Sequence, residues 1–167
     1  MALNIKKIDD EYEYLKQQFP LVSRMGDALF SGMVRCKRGY VRTLAKQGIW
    51  PFTEYVKWHK FKMELHSLHP FKPPAVTWIT DIPHPNIIPQ KKGMVCISIL
   101  GKEWTPKTTL PAVVNALYFL LSDPNPDNTY PNQKCISAAK VCKAYGFPRR
   151  VFVEPVNTQD FKVNSNE

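Results

Sequence analysis

No uninterrupted apolar run in the chain reaches the roughly eighteen residues that a membrane-spanning helix requires, so no membrane association is expected. The opening stretch, MALNIKKIDDEYEYL, scatters charge where a secretory signal would be continuously apolar. The expected location is therefore the cytoplasm or the nucleus. Cysteine is sparse. Cys36, Cys96, Cys135 and Cys142 form no CxxC pair and share no zinc-ligand spacing with histidine, which argues against a metal centre. In a reducing compartment the four are expected to be free thiols. Acidic residues are also in short supply, 14 against 23 Lys and Arg, for a formal net charge of +9. A nucleic-acid-binding protein would gather that charge into one patch or motif. Here it is spread along the chain without an RNP-like, helix-turn-helix or zinc-finger pattern, and the excess reads as a bias toward acidic protein partners. Internal repeats and low-complexity tracts are absent as well.

What is present is enough apolar material, 44% of 167 residues, to build a core. Residues 1–150 read as one domain and 151–167 as an irregular tail. Asn4 to Phe19 has the period of an amphipathic helix, with Ile5, Ile8, Tyr12, Leu15 and Phe19 on one face and Pro20 as its stop. Lys6 and Lys7 begin the opposite, solvated face. Ala28 to Cys36 reads as a strand, and KRGYVRTLAKQGIWPF after it as a long connection with room for a further short strand. Phe61, Met63 and Leu65 alternate with polar residues in a half-buried strand. Val56 and Trp58 fall on the other parity, which predicts a bulge or break near His59. Three prolines keep His69–Pro74 out of regular structure. Ala75 to Ile82 is a further strand. Leu110 to Leu121 is the clearest helix, with a broad apolar stripe, Thr109 as its cap and Pro111 in its first turn. After the turn-rich DPNPDN, Asn132 to Tyr145 forms another helix that packs through Ile136, Ala139, Cys135 and Cys142. This order gives an α+β fold with an antiparallel sheet.

The chemistry is concentrated between His84 and Leu100, HPNIIPQKKGMVCISIL. An amide-bearing Asn86 precedes a lone Cys96, and the loop joining them contains proline and glycine. A thiol on a rigid loop beside a neutral hydrogen-bond donor suits a covalent carrier. The plainer alternatives are a small buried cysteine in a strand and a turn asparagine. Trp104, in the polar loop GKEWTPKTT, is either core or a docking anchor.

Four collinear motifs, HPFKPPAVTWITDIPHPNI, GMVCISIL, WTP and LLSDPNPDN, resemble the core of the ubiquitin-conjugating enzymes over roughly Phe61 to Tyr145. The resemblance implies an N-terminal helix, a four-stranded antiparallel meander and C-terminal helices packed on it. It implies that Cys96 holds a modifier's C-terminal glycine as a thioester, that Asn86 is the functional member of the HPN motif, and that His84 and Pro85 are its structural members. Phe71, Trp104 and Pro106 fall on the ligase-docking surface, and Lys6 and Lys7 on the part of the first helix that meets the activating enzyme. The implied partners are ubiquitin or a ubiquitin-like modifier, an activating enzyme and a RING- or HECT-type ligase. No cofactor is expected on the chain itself, since ATP is used by the activating enzyme. WTPKTTLPAVV also resembles members that carry ubiquitin-like modifiers.

The chain departs from the family pattern at several points. The acid that many members carry after the DPN motif falls on Asn128, leaving Asp127 as the near substitute and Tyr130 as a wall for the incoming lysine. The loop between Asn86 and Cys96 is longer than usual, EYVKWHK replaces the tyrosine-glycine-glycine flap, Lys107 replaces an alanine, and the last helix of the family is not evident. Two roles are open to Asn86. Its amide N–H aimed at the tetrahedral oxyanion would be worth about 3 kcal/mol, or it braces the loop. No histidine base lies beside Cys96 in sequence, so loading is expected to depend on the activating enzyme. The competing function classes are a non-catalytic family variant that scaffolds a modifier or ligase, and a basic nucleic-acid-binding domain.

Overall fold

The computed structural model describes residues 3–41, 55–88 and 93–145. The expected tail, the position of a last helix, most of the basic connection and the middle of the loop between Asn86 and Cys96 lie outside the described residues.

Helix α1 (Ile5–Gln18) leads into four strands, β1 (Val22–Arg24), β2 (Leu29–Val41), β3 (Tyr55–Glu64) and β4 (Ala75–Trp78). Asn4 caps α1 by accepting from the Lys7 N–H at 3.1 Å, as short polar side chains do at helix starts. The strands pair antiparallel in the order β1-β2-β3-β4, the meander expected. Helices α2 (Leu110–Ser122) and α3 (Gln133–Tyr145) follow, separated by a 3₁₀ turn at Pro126–Asn128. Thr109 caps α2 by accepting from Ala112 N–H, with Pro111 in the first turn.

The core lies between the sheet and helices α1 and α2. Ile8 and Leu15 meet Val113, Val114, Leu117 and Leu121 over the inner face of the sheet. Ile5, expected on the same stripe, stays 39% exposed because it begins the helix beyond the edge of that core. One inner row runs Val22, Gly32, Phe61, Trp78 across all four strands. Gly32 makes room for its neighbours: a Cβ there would come within 2.8 Å of Phe61 Cζ and 2.9 Å of Val22 Cγ2.

Three strand expectations need correction. β2 continues to Val41, so KRGYV belongs to a strand and not to the connection. β3 runs unbroken through His59, which is fully buried opposite Val34 on the same face as Phe61 and Met63. A polar residue in an inward position had the look of a parity change. The irregularity lies on β2, where the register shifts between Arg35 and Tyr40. β4 stops at Trp78, four residues early, where the chain leaves the ladder: the N–H groups of Ile79 and Thr80 both turn onto Lys60 O, and Thr80 Oγ1 takes the Lys60 N–H. The other edge of β4 is taken up by the loop that carries Cys96.

That edge fixes the loop. Trp78 N–H donates to Gly93 O at 2.7 Å, and Met94 bridges back to Thr77. Gly93 has φ +49°, and a Cβ there would lie 2.2 Å from Trp78 O. Gly93→Ala combines a left-handed backbone with a clash against main chain that cannot yield. It is expected to cost about 3 kcal/mol, read as a lowered urea midpoint with unchanged m-value.

Candidate active site

Cys96 lies between Val95, which bridges to Ile87, and a 3₁₀ turn at Ser98–Leu100 that the extended Ile97 introduces. Its thiol is exposed, which removes the buried-cysteine alternative. Its N–H donates to Asn86 O at 2.8 Å, so the HPN segment holds the cysteine through the backbone. Cys135 and Cys142 are buried in the packing of α3, as expected. Burial first, and then the nearby Cys96, push the Cys135 thiol pKa up, while its Sγ donates to Ile87 O at 3.3 Å.

The HPN motif is a hub of buried hydrogen bonds. His84 Nδ1 accepts from Asn86 N–H at 3.0 Å. That contact requires the neutral ring with its proton on Nε2, which faces Leu120 O in α2 at 3.0 Å. Burial pushes His84 from its ordinary value of 6.5 down to about 3, against the opposing pull of the Leu120 carbonyl. Pro85 O accepts from Thr129 Oγ1 at 2.8 Å and from Tyr130 N–H at 3.0 Å.

Asn86 is 1% exposed. Its Oδ1 accepts from Asn125 N–H at 2.9 Å, which orients the amide. Its Nδ2 then donates to Asn125 O at 3.0 Å and Asn128 O at 2.9 Å. Both amide hydrogens are thus used on the turn after α2. Asn125 completes the brace, its Oδ1 accepting from the Asp127 and Asn128 N–H groups. The sequence marks Asn125 as the last residue of the DPN motif and gives it no role of its own.

A cleft of about 940 Å³ opens beside Cys96. Its walls include Asn86, Ser98, Phe119, Asp123, Asn125 and Asn128. Asn128 is thus on the wall of the same cleft as Cys96. Neither Asp127 nor Tyr130 is among the cleft-lining residues. The Asp127 carboxylate is instead paired with Lys143 Nζ of α3, 2.7 Å away. Tyr130 is half-buried and enters the site through its backbone bond to Pro85.

None of the residues assigned to docking surfaces lines the cleft beside Cys96. Phe71 is 67% exposed, and Pro106 is exposed beside the half-buried Trp104. Of the two roles expected of Trp104, the structure shows the first, a place packed against the core. Its Nε1 donates to Pro70 O at 2.8 Å, joining the loop of Phe71 to that of Pro106. Lys6 is exposed on α1. Lys7 is less free than a solvated face implies. Its Nζ donates to Pro106 O at 3.2 Å and lies 3.7 Å from Glu11, whose other carboxylate oxygen accepts from Leu110 N–H at 3.1 Å.

Comparison with known proteins agrees with the fold. The chain belongs to the ubiquitin-conjugating enzyme family, whose profile, described as "Ubiquitin-conjugating enzyme", matches residues 51–146. Its fold is similar to that of the E2 domain of a ubiquitin conjugating enzyme from Toxoplasma gondii, with a TM-score of 0.64 and 20% identity over 84% of this chain and 87% of the other. It is likewise similar to the ubiquitin conjugating enzyme Pex4p of H. polymorpha, solved in complex with the soluble domain of Pex22p. There the TM-score is 0.65, with 19% identity over 87% of this chain and 91% of the other. At such identities the likeness speaks to fold alone.

Proposed function

We propose that the protein carries ubiquitin or a ubiquitin-like modifier as a thioester on Cys96 and passes it to substrate lysines with a RING- or HECT-type ligase. The observation that carries this reading is an exposed thiol, held through its backbone by Asn86, at the wall of an open cleft. A thioester carbonyl is activated toward amines, and an exposed sulfur leaves space for a modifier's C-terminal tail and an incoming nucleophile. The activating enzyme consumes ATP and delivers the modifier to Cys96, so the chain itself needs no cofactor. Lys6 and Lys7 are the proposed contact with that enzyme, and Phe71, Trp104 and Pro106 the contact with the ligase. The proposed setting is the cytoplasm, the nucleus or both.

Within this reading Asn86 is a brace. Its amide would have to release a carbonyl at 2.9 or 3.0 Å before reaching an oxyanion. His84 and Pro85 act in the same way, tying the cysteine's support to α2 and to the 129–130 segment.

The test is incubation with activating enzyme, ATP and each of a panel of modifiers, followed by gels with and without reductant. The wild-type chain should give a reductant-sensitive adduct, Cys96→Ser a reductant-resistant one and Cys96→Ala none. Absence of any adduct across the panel would sink the proposal and favour a non-catalytic scaffold.

A further inference from the structure

We infer that Asp123 is the carboxylate that receives the incoming lysine in this chain, taking over from the acid that Asn128 and Asp127 do not supply. The inference rests on the lysine-transfer reading above and concerns that same cleft. Asn128 lines the cleft but is uncharged, and Asp127 is drawn to Lys143 outside it. Two carboxylates remain on the cleft walls, those of Glu103 and Asp123. Glu103 is occupied, accepting from Ser98 Oγ at 2.6 Å. Asp123 is exposed, and its carboxylate makes no hydrogen bond or ion pair with any described residue.

Its position in the fold points the same way. Asp123 is the C-cap of α2, held there by its own N–H to Phe119 O at 2.8 Å. The C-terminal end of a helix carries partial negative charge, so it favours cations and disfavours a carboxylate. The last turn of α2 has no basic residue to offset this. An unpaired acid at the negative end of a helix, on the wall of the cleft that Cys96 also lines, is arranged to attract an ammonium group.

The chemical step balances as follows. The lysine ammonium gives one proton to the Asp123 carboxylate, and the neutral amine forms a C–N bond at the thioester carbonyl. The C–S bond then breaks, the Cys96 sulfur leaves as thiolate and takes up the second nitrogen proton, and Asp123 returns its proton to solvent. Only the ammonium form of the nucleophile needs the first transfer.

The experiment is single-turnover discharge of the loaded wild-type chain and of Asp123→Asn at neutral pH, with free lysine or hydroxylamine as nucleophile. Hydroxylamine is uncharged there and needs no acceptor for a first proton. Asp123→Asn is expected to load normally and to discharge to lysine about a hundredfold more slowly, the low end of what a positioned proton acceptor contributes. Discharge to hydroxylamine should stay within about twofold of wild type. The lysine defect should shrink as pH rises toward the ordinary lysine value of about 10.4. Asp123→Glu should recover part of the rate, and the melting temperature of Asp123→Asn should be unchanged or higher, since a carboxylate has left a helix C-terminus. Normal loading with an unaltered lysine rate would overturn this assignment alone. Equal slowing with both nucleophiles, or a lowered melting temperature, would also overturn it by making Asp123 a structural residue. Failure of the wild-type chain to load would overturn the carrier reading and this assignment together.

Discussion

Replacing Asn86 with alanine is expected to lower stability by about 3 kcal/mol, at roughly 1 kcal/mol for each of three side-chain hydrogen bonds lost. The bonds in question run from Asn86 to Asn125 N–H, Asn125 O and Asn128 O, all partly buried. For a chain of this size the loss corresponds to a fall in melting temperature of roughly 6–12 °C. Loading of Cys96 should survive below the new melting temperature, because the bond from Cys96 N–H reaches the Asn86 backbone, which alanine retains. Discharge should slow, because the turn that carries Asn125 and Asn128 to the cleft loses its anchor. An oxyanion donor would behave differently. Its removal would leave stability intact while costing about 10²–10³ in rate. Asn125→Ala separates the two further. It deletes the bonds that cap the 126–128 turn and leaves the Asn86 amide in place. If bracing is what matters, Asn125→Ala should reproduce part of the discharge defect of Asn86→Ala. A fully active Asn125→Ala beside an inactive but stable Asn86→Ala would overturn the brace.

The same contrast explains which parts of the molecule were legible in the sequence. Helix α2 was, because its signals are local: a cap, a proline in the first turn and an apolar stripe. The loop from His84 to Leu100 was legible by motif, and the exposed Cys96 stands where the motif put it. The partners of Asn86 were not, since they lie 39 and 42 residues away and are mostly backbone atoms, which no residue pattern records. Asp127 was the natural substitute for an acid at Asn128 by adjacency. Only the packing of α3, which brings Lys143 to it, shows that it is already paired. Asp123 was legible only as the opening residue of the DPN turn, and its place on the cleft wall depends on where α2 ends. Strand β2 was cut short because glycine and clustered basic residues look like a connection. His59 was misjudged because burial of a histidine in a continuous inner row contradicts the usual alternation.

Lowering the pH from 6.5 to 5 should cost the fold about 2 kcal/mol through His84 alone. The group is held at about 3 in the folded chain against 6.5 when unfolded. Well above pH 6.5 neither state binds the proton, and the full stability is present. Below it the unfolded chain takes up a proton that the buried ring refuses, so stability falls by about 1.4 kcal/mol per pH unit. The loss continues until the folded ring also titrates near pH 3, by which point it amounts to roughly 5 kcal/mol, a large share of a typical domain's total. His69, lowered chiefly by burial, adds in the same direction. Ordinary carboxylates titrate near 4, so the window between pH 6.5 and 5 belongs to the histidines. The structural consequence falls on the site. A protonated His84 would present an N–H to the Asn86 N–H in place of the acceptor that Nδ1 offers now. The HPN hub would loosen from within, and the Asn86 brace with it. Urea unfolding at several pH values should show this slope in the wild-type chain and a flatter one in His84→Gln, which has no titrating ring. Equal slopes in the two proteins would show that His84 does not govern the acid response.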